Sequence, residues 1–156
     1  AHALQKFPGL KLQLIGEGNY MDLSKRLCKE LNVNNNVTFF GWKEKHEIQK
    51  IMSGCDLCVL PSRIESFGLT IAEAMAAGIP VISTKAGAIP EILKDGETGI
   101  LVPSEDIEAL RKAIIYALKN RDKMQNRAKA AQEKVKKDFS WDSAVKKHIE
   151  IYKSLL

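Results

Sequence analysis

The sequence predicts an α/β domain: a Rossmann-like parallel sheet with helices on both faces. Short β-rich apolar runs alternate with helix-length amphipathic stretches, the pattern of parallel strands joined by covering helices. Polar turns bearing glycine or proline mark the changes of period. A chain of 156 residues, 45% hydrophobic and 28% charged, is one ordinary globular domain with material for a full core.

Residues 1–7 read as the tail of a helix stopped by Pro8-Gly9. A strand follows at 11–15, a helix at 20–31 and a second strand at 37–40. The pattern repeats with a helix at 45–53, a strand at 56–60, a helix at 69–77 that Gly78 ends and Pro80 cannot continue, and a strand at 80–83. A short helix near 89–94 precedes the turn Asp95-Gly96 and a last strand at 99–102. Helices at 107–119, 123–137 and 144–155 complete the chain. Ligands bind such sheets beyond the carboxyl ends of the strands. Gly16-Glu17-Gly18, Gly41-Trp42-Lys43 and residues 61–68 and 84–88 all fall there, so one crevice is expected.

Residues 61–80 are the most informative stretch. A buried strand ending Leu57-Cys58-Val59-Leu60 runs into the polar loop Pro61-Ser62-Arg63-Ile64-Glu65-Ser66 and then into a helix. The amides of Phe67, Gly68, Leu69 and Thr70 lie at that helix start, where unpaired donors and the helix dipole suit a phosphate or diphosphate. Gly68 is expected to let a ligand approach the main chain, and the Thr70 hydroxyl adds a donor. A carboxylate before such a turn repels a bare phosphate, so Glu65 is better suited to hydroxyls. Taken alone, Glu73 reads as plainly as a first-turn complement to the dipole. A diphosphate and a polyol held together describe a nucleotide sugar.

Glu65, seven intervening residues and Glu73, with Ser66-Phe67-Gly68 after the first Glu, resemble the E-x7-E signature of retaining glycosyltransferases of family 4. Leu12-Gln13-Leu14-Ile15-Gly16-Glu17-Gly18, Asn36-Val37-Thr38-Phe39-Phe40-Gly41, Ile79-Pro80-Val81-Ile82-Ser83-Thr84, Ile89-Pro90-Glu91, Gly96-Glu97-Thr98-Gly99-Ile100-Leu101-Val102 and Phe139-Ser140-Trp141 follow in that family's order and spacing. The resemblance implies a GT-B fold and places this chain, 1–156, as a single nucleotide-sugar-binding domain, the C-terminal, donor-binding one, lacking its first strand. It implies transfer of a sugar from a UDP- or GDP-sugar with retention of configuration. Glu65 would be the catalytic carboxylate at the donor sugar, Glu73 would accept ribose hydroxyls, and Ser66, Phe67, Gly68, Leu69 and Thr70 would hold the donor. Gly41, Trp42 and Lys43 would border the base, and Gly16 is a further donor-binding candidate. No cofactor or metal is expected, since no Asp-x-Asp occurs in a fitting place.

The resemblance also implies an upstream G-R-x4-K segment that neutralises the diphosphate, and an N-terminal acceptor domain, both outside this sequence. The fragment alone is therefore expected to be inactive, and its sheet to pair abnormally or leave a gap. Ala86-Gly87-Ala88 departs from the Gly-Gly pair common in relatives, so no contact is assigned to that loop. Other GT-B enzymes, such as a sugar-nucleotide epimerase, and a binding module without turnover remain alternatives.

Three cysteines, an odd number, argue against a disulfide framework and fit a reducing cytoplasm. Cys55 and Cys58 read as packing residues, without a second pair at ligand spacing. The net charge of +5 is concentrated in residues 119–153, with 11 Lys or Arg against 5 Asp or Glu. A solvated helix face is the plainer reading of that excess, and peripheral contact with an anionic membrane surface the sharper one. Nucleic acid is not expected, because the basic residues lack interleaved aromatics. Trp42 reads equally as core or as lining for a base, and Trp141 is expected to pack the final helix.

Overall fold

A computed structural model describes residues 1–155, which divide into two compact units, Ala1–Gly54 and the chain from Cys55 onward. The first unit contains α1 (His2–Lys6), β1 (Leu12–Leu14), α2 (Met21–Glu30), a single 3-10 turn at Asn34–Asn36, β2 (Val37–Phe39) and α3 (Lys45–Ser53). β1 and β2 pair in parallel, with Leu12 opposite Val37 and Leu14 opposite Phe39. The Asn36 side-chain amide donates to the Leu10 carbonyl at 3.0 Å, fixing the entry to both strands. A capping box starts α3: the Glu44 side chain accepts from the main chain of Glu47, whose carboxylate accepts from the Glu44 amide at 3.0 Å. Among the described residues of this unit only Met52 is a buried apolar side chain; Leu23, Leu27 and Leu31 on α2 each stay half exposed.

The second unit holds the core. It comprises β3 (Cys58–Leu60), α4 (Leu69–Ala76), β4 (Val81–Thr84), α5 (Ile89–Ile92), β5 (Ile100–Val102), α6 (Ile107–Lys119), α7 (Arg121–Asp138) and α8 (Trp141–Ser154). The strands pair in parallel in the order β3-β4-β5, with Leu60 opposite Ser83 and Ser83 opposite Leu101. β4, in the middle, is buried at all four residues, as the apolar run Val81-Ile82 requires. Ile71 and Met75 on α4 pack into the same interior as Ile89, Ile92 and Leu93, all essentially inaccessible to water. Helix α4 also runs against α7, where the Gln132 side-chain amide donates to the last-turn carbonyl of Ala76 at 2.8 Å. That contact satisfies one of the orphan acceptors at the α4 C-terminus.

All five expected strands occur in the expected order and all pairs are parallel, but they form two sheets rather than one. Among the described residues no ladder joins β1–β2 to β3–β4–β5. One expectation for the helices fails. Trp141 is 87% exposed instead of packing α8; it is the first residue of the helix, after the Ser140 cap, whose hydroxyl accepts from Ser143 at 3.2 Å. No described residue of α8 is buried. Burial, with Cys55 nearby, pushes the Cys58 thiol up to about 11, which suits a packing residue. No described helix is long and apolar enough to cross a membrane.

The packing of α4 makes the first prediction. Ile71 has no water-accessible surface, so Ile71→Ala should destabilise the second unit by about 2–5 kcal/mol, the range for emptying a buried aliphatic site. Denaturant unfolding reads this directly, and an unchanged midpoint would refute the packing.

Candidate functional site

The site in the second unit is a loop, residues 61–68, held above the carboxyl end of β3 and leading into α4. Its carbonyls are drawn in by hydroxyls from neighbouring elements. Ser83 Oγ donates to the Leu60 carbonyl at 2.8 Å, and Thr84 Oγ1 to that of Ser62 at 2.5 Å. Ser104 Oγ, beyond β5, donates to the same Ser62 carbonyl at 3.1 Å. Ser83 and Thr84 are almost completely buried, so their hydroxyls must be satisfied within the protein, and the loop satisfies them. Arg63 adds an ion pair to Glu105 at 3.0 Å, but both side chains are largely exposed and the pair contributes little.

Gly68 is the N-cap of α4, in a left-handed conformation with φ 94°. No side chain caps the helix in the usual manner; the Glu65 carboxylate takes the Gly68 amide instead, with N–H donating to Oε1 at 3.1 Å. Among the described residues this is the one hydrogen bond to that carboxylate, which leaves Oε2 as an acceptor for a ligand hydroxyl. The amides of Leu69 and Thr70 precede the first intrahelical bond, from Ile71 to Gly68, and both residues are exposed. Glu73, half-buried, lies one turn along the helix from them. The Phe67 ring meets Phe139 edge-on at 5.9 Å, pinning the loop end to the junction of α7 and α8. Ser66 is exposed beside it.

Gly68 does not do what its sequence position suggested. A Cβ there would point at Ile71, Ile89 and Ile92, at 3.6–3.8 Å, and so toward the core instead of an approaching ligand. Its amide is already taken by Glu65. Glycine is required here for its positive φ.

The candidates in the first unit meet in a separate pair of turns. The Gly16 amide donates to the Gly41 carbonyl at 2.8 Å, and the Trp42 amide to Glu17 Oε1 at 3.2 Å. Trp42 is 63% exposed, which removes the core reading of that ring. Lys43 pairs with Glu47 at 3.4 Å. The Glu47 carboxyl is held below its ordinary value first by the Glu44 amide and then, against some desolvation, by Lys43. Sequence reasoning missed Ser83, Thr84, Ser104 and Gly87 as supports of the loop in the second unit. The available signal was two hydroxyl residues closing an otherwise apolar buried strand.

Residues 1–134 match the family model described as glycosyl transferases group 1. The chain is 34% identical over 146 residues to N-acetyl-alpha-D-glucosaminyl L-malate synthase of Bacillus anthracis, covering 94% of this chain and 38% of that protein. It spans less than two fifths of the length of such curated relatives. Anabaena HepE, solved in complex with UDP, superposes with a TM-score of 0.82 at 27% identity, over 98% of this chain and 44% of that one. The C-terminal domain of a glycosyl transferase group 1 family protein from Francisella tularensis superposes at 0.81 with 28% identity, over 90% of this chain and 75% of that one.

The N-cap gives the second prediction. Gly68→Ala should cost about 1–3 kcal/mol, the strain of a non-glycine residue held at this φ. Gly54→Ala, at φ −92° with its added carbon in ordinary contact, should cost far less. Equal melting temperatures for the two variants would contradict the role given to Gly68.

Proposed function

The chain belongs to the glycosyl transferases group 1 family, and on that premise we propose that it is the donor-binding part of a longer, retaining glycosyltransferase. The observation that carries the reading is the start of α4: the amides of two exposed residues, Leu69 and Thr70, which precede the first intrahelical bond, between two carboxylates, Glu65 and Glu73, on a loop tied to the sheet. The amides and the Thr70 hydroxyl take the diphosphate of a UDP- or GDP-sugar, where the helix dipole favours negative charge. Glu65 keeps one oxygen on Gly68 and offers the other to sugar hydroxyls beside the reacting carbon. Glu73 accepts the ribose hydroxyls. In the first unit, the exposed ring of Trp42 offers a stacking face suited to a nucleobase. The UDP seen in HepE supports a nucleotide ligand for this fold.

Catalysis in this reading is positioning and charge stabilisation: fixed donors stabilise the departing diphosphate, and the sugar is held for attack. The acceptor and the remaining diphosphate contacts come from outside these residues, so the isolated chain binds nucleotide without turnover.

The test begins with a thermal-shift panel of UDP-glucose, UDP-N-acetylglucosamine and GDP-mannose on the full-length protein. At least one should stabilise it. With that donor, Glu73→Ala should weaken binding by about 1.5–3 kcal/mol, the range for hydrogen bonds to a charged group. Glu65→Gln should lower kcat more than it raises the donor KM. A pure binding defect at Glu65 with unchanged kinetics at Glu73 would overturn these roles.

A further inference from the structure

Glu65 rests against a residue to which the sequence reading gave no function. Gly87 follows β4, with φ 49°. A Cβ built on it would overlap the Glu65 carbonyl oxygen, lie 2.9 Å from the carbonyl carbon and stand 3.5 Å from the Glu65 amide nitrogen. All three atoms are main chain, so no side chain can swing aside to make room. Among the glycines this is the closest approach to another segment's backbone.

We propose that Gly87 is a positioning residue for the transfer reaction: its bare α-carbon is the stop that fixes the Glu65 peptide, and through it the aim of the Glu65 carboxylate. The proposal rests on the assignment of Glu65 to the donor sugar. The other restraints on the loop act at its ends. Thr84 and Ser104 hold Ser62, and the Gly68 amide holds the tip of the Glu65 side chain. Between them Arg63 is tied through an exposed ion pair, and Ile64 is 91% exposed and anchors nothing. The backbone of Glu65 itself is set by its contact with Gly87.

Adding a methyl group at Gly87 forces the Glu65 peptide to retreat by roughly an ångström, a misplacement that can cost up to about 10²-fold in rate. Helix α4 is held independently, by Ile71 and Met75 in the core, so the Leu69 and Thr70 amides stay in place. The signature is therefore a loss of kcat without a loss of nucleotide affinity.

The experiment compares Gly87→Ala, Glu65→Gln and Gly96→Ala in the full-length protein. Gly96 supplies the control: its φ is 79° but nothing lies within 4 Å of its added carbon, so it reports backbone strain alone. Folding is checked by circular dichroism and melting, UDP and GDP affinity by calorimetry. Donor hydrolysis is followed with UDP-glucose, UDP-N-acetylglucosamine and GDP-mannose. Folded Gly87→Ala should lose at least about ten-fold in kcat while donor KM and nucleoside diphosphate affinity stay within about two-fold. Gly96→Ala should keep wild-type kcat. If Gly87→Ala does not fold, Gly87→Asn replaces it, since Asn tolerates the left-handed φ while keeping the obstructing carbon. Wild-type kcat in the folded Gly87 variant, or a nucleotide-affinity loss that matches the kcat loss, overturns the inference. If Glu65→Gln leaves kcat unchanged, or the wild type hydrolyses none of the three donors, the functional reading itself fails. A kcat loss at Glu65→Gln with none at Gly87→Ala defeats this inference alone.

Discussion

Everything at the site depends on where the carbonyls beyond β3 find donors. A chain leaving the end of a buried strand carries acceptors that no ladder satisfies, and each one left unmet would cost about 1–3 kcal/mol. Here Ser83 and Thr84, the last two residues of β4, turn their hydroxyls onto the carbonyls of Leu60 and Ser62, and Ser104 joins them from beyond β5. The loop is thus fastened to the neighbouring strand and to the turn after the next one. Its height above the sheet follows, and so does the point at which α4 begins.

Helix α4 then starts without a conventional side-chain cap. Glu65 fills that part, accepting from the Gly68 amide while Gly68 takes the left-handed turn that lets the chain enter the helix. The arrangement couples two properties that a donor-binding site needs. A carboxylate that bonds the first turn is held in one rotamer, and the amides that follow it remain available. A negative charge in front of the helix start is favourable to the dipole, yet it would repel a diphosphate placed upon it. The proposed ligand, anionic at the Leu69–Thr70 amides and hydroxyl-bearing at Glu65, satisfies both.

Much of this was legible in the sequence, for identifiable reasons. Helices α3 and α6 were read to the residue, because Gly54 closes one and Asp106, whose side chain accepts from Ala109 at 2.8 Å, opens the other. Glu65 and Glu73 stood out through their spacing around Ser-Phe-Gly; Glu65 precedes α4, and Glu73 lies one turn into it, so the first-turn reading of Glu73 does not hold. Strands β1, β2, β3 and β5 were read one or two residues too long, in part because apolar residues continue past the last ladder bond at Ile15 and Phe40, and β4 was read one residue early. The start of α8 was read three residues late because Ser140, set between Phe139 and Trp141, was not recognised as its N-cap. Gly68 was assigned to ligand approach, whereas the direction of its absent side chain depends on where Ile89 and Ile92 fold back. Gly87 could not be read at all: its requirement is set by the main chain of a residue 22 positions earlier.

The central claim is that the start of α4 receives the diphosphate. It is tested most directly by following the amide resonances of Leu69 and Thr70 in this chain by nitrogen-edited NMR, titrating UDP and GDP against uridine and guanosine. The account predicts that a nucleoside diphosphate moves both resonances in a saturable way, while its nucleoside at the same concentration leaves them in place. Saturable binding of UDP or GDP that shifts other residues and leaves Leu69 and Thr70 unmoved would contradict it.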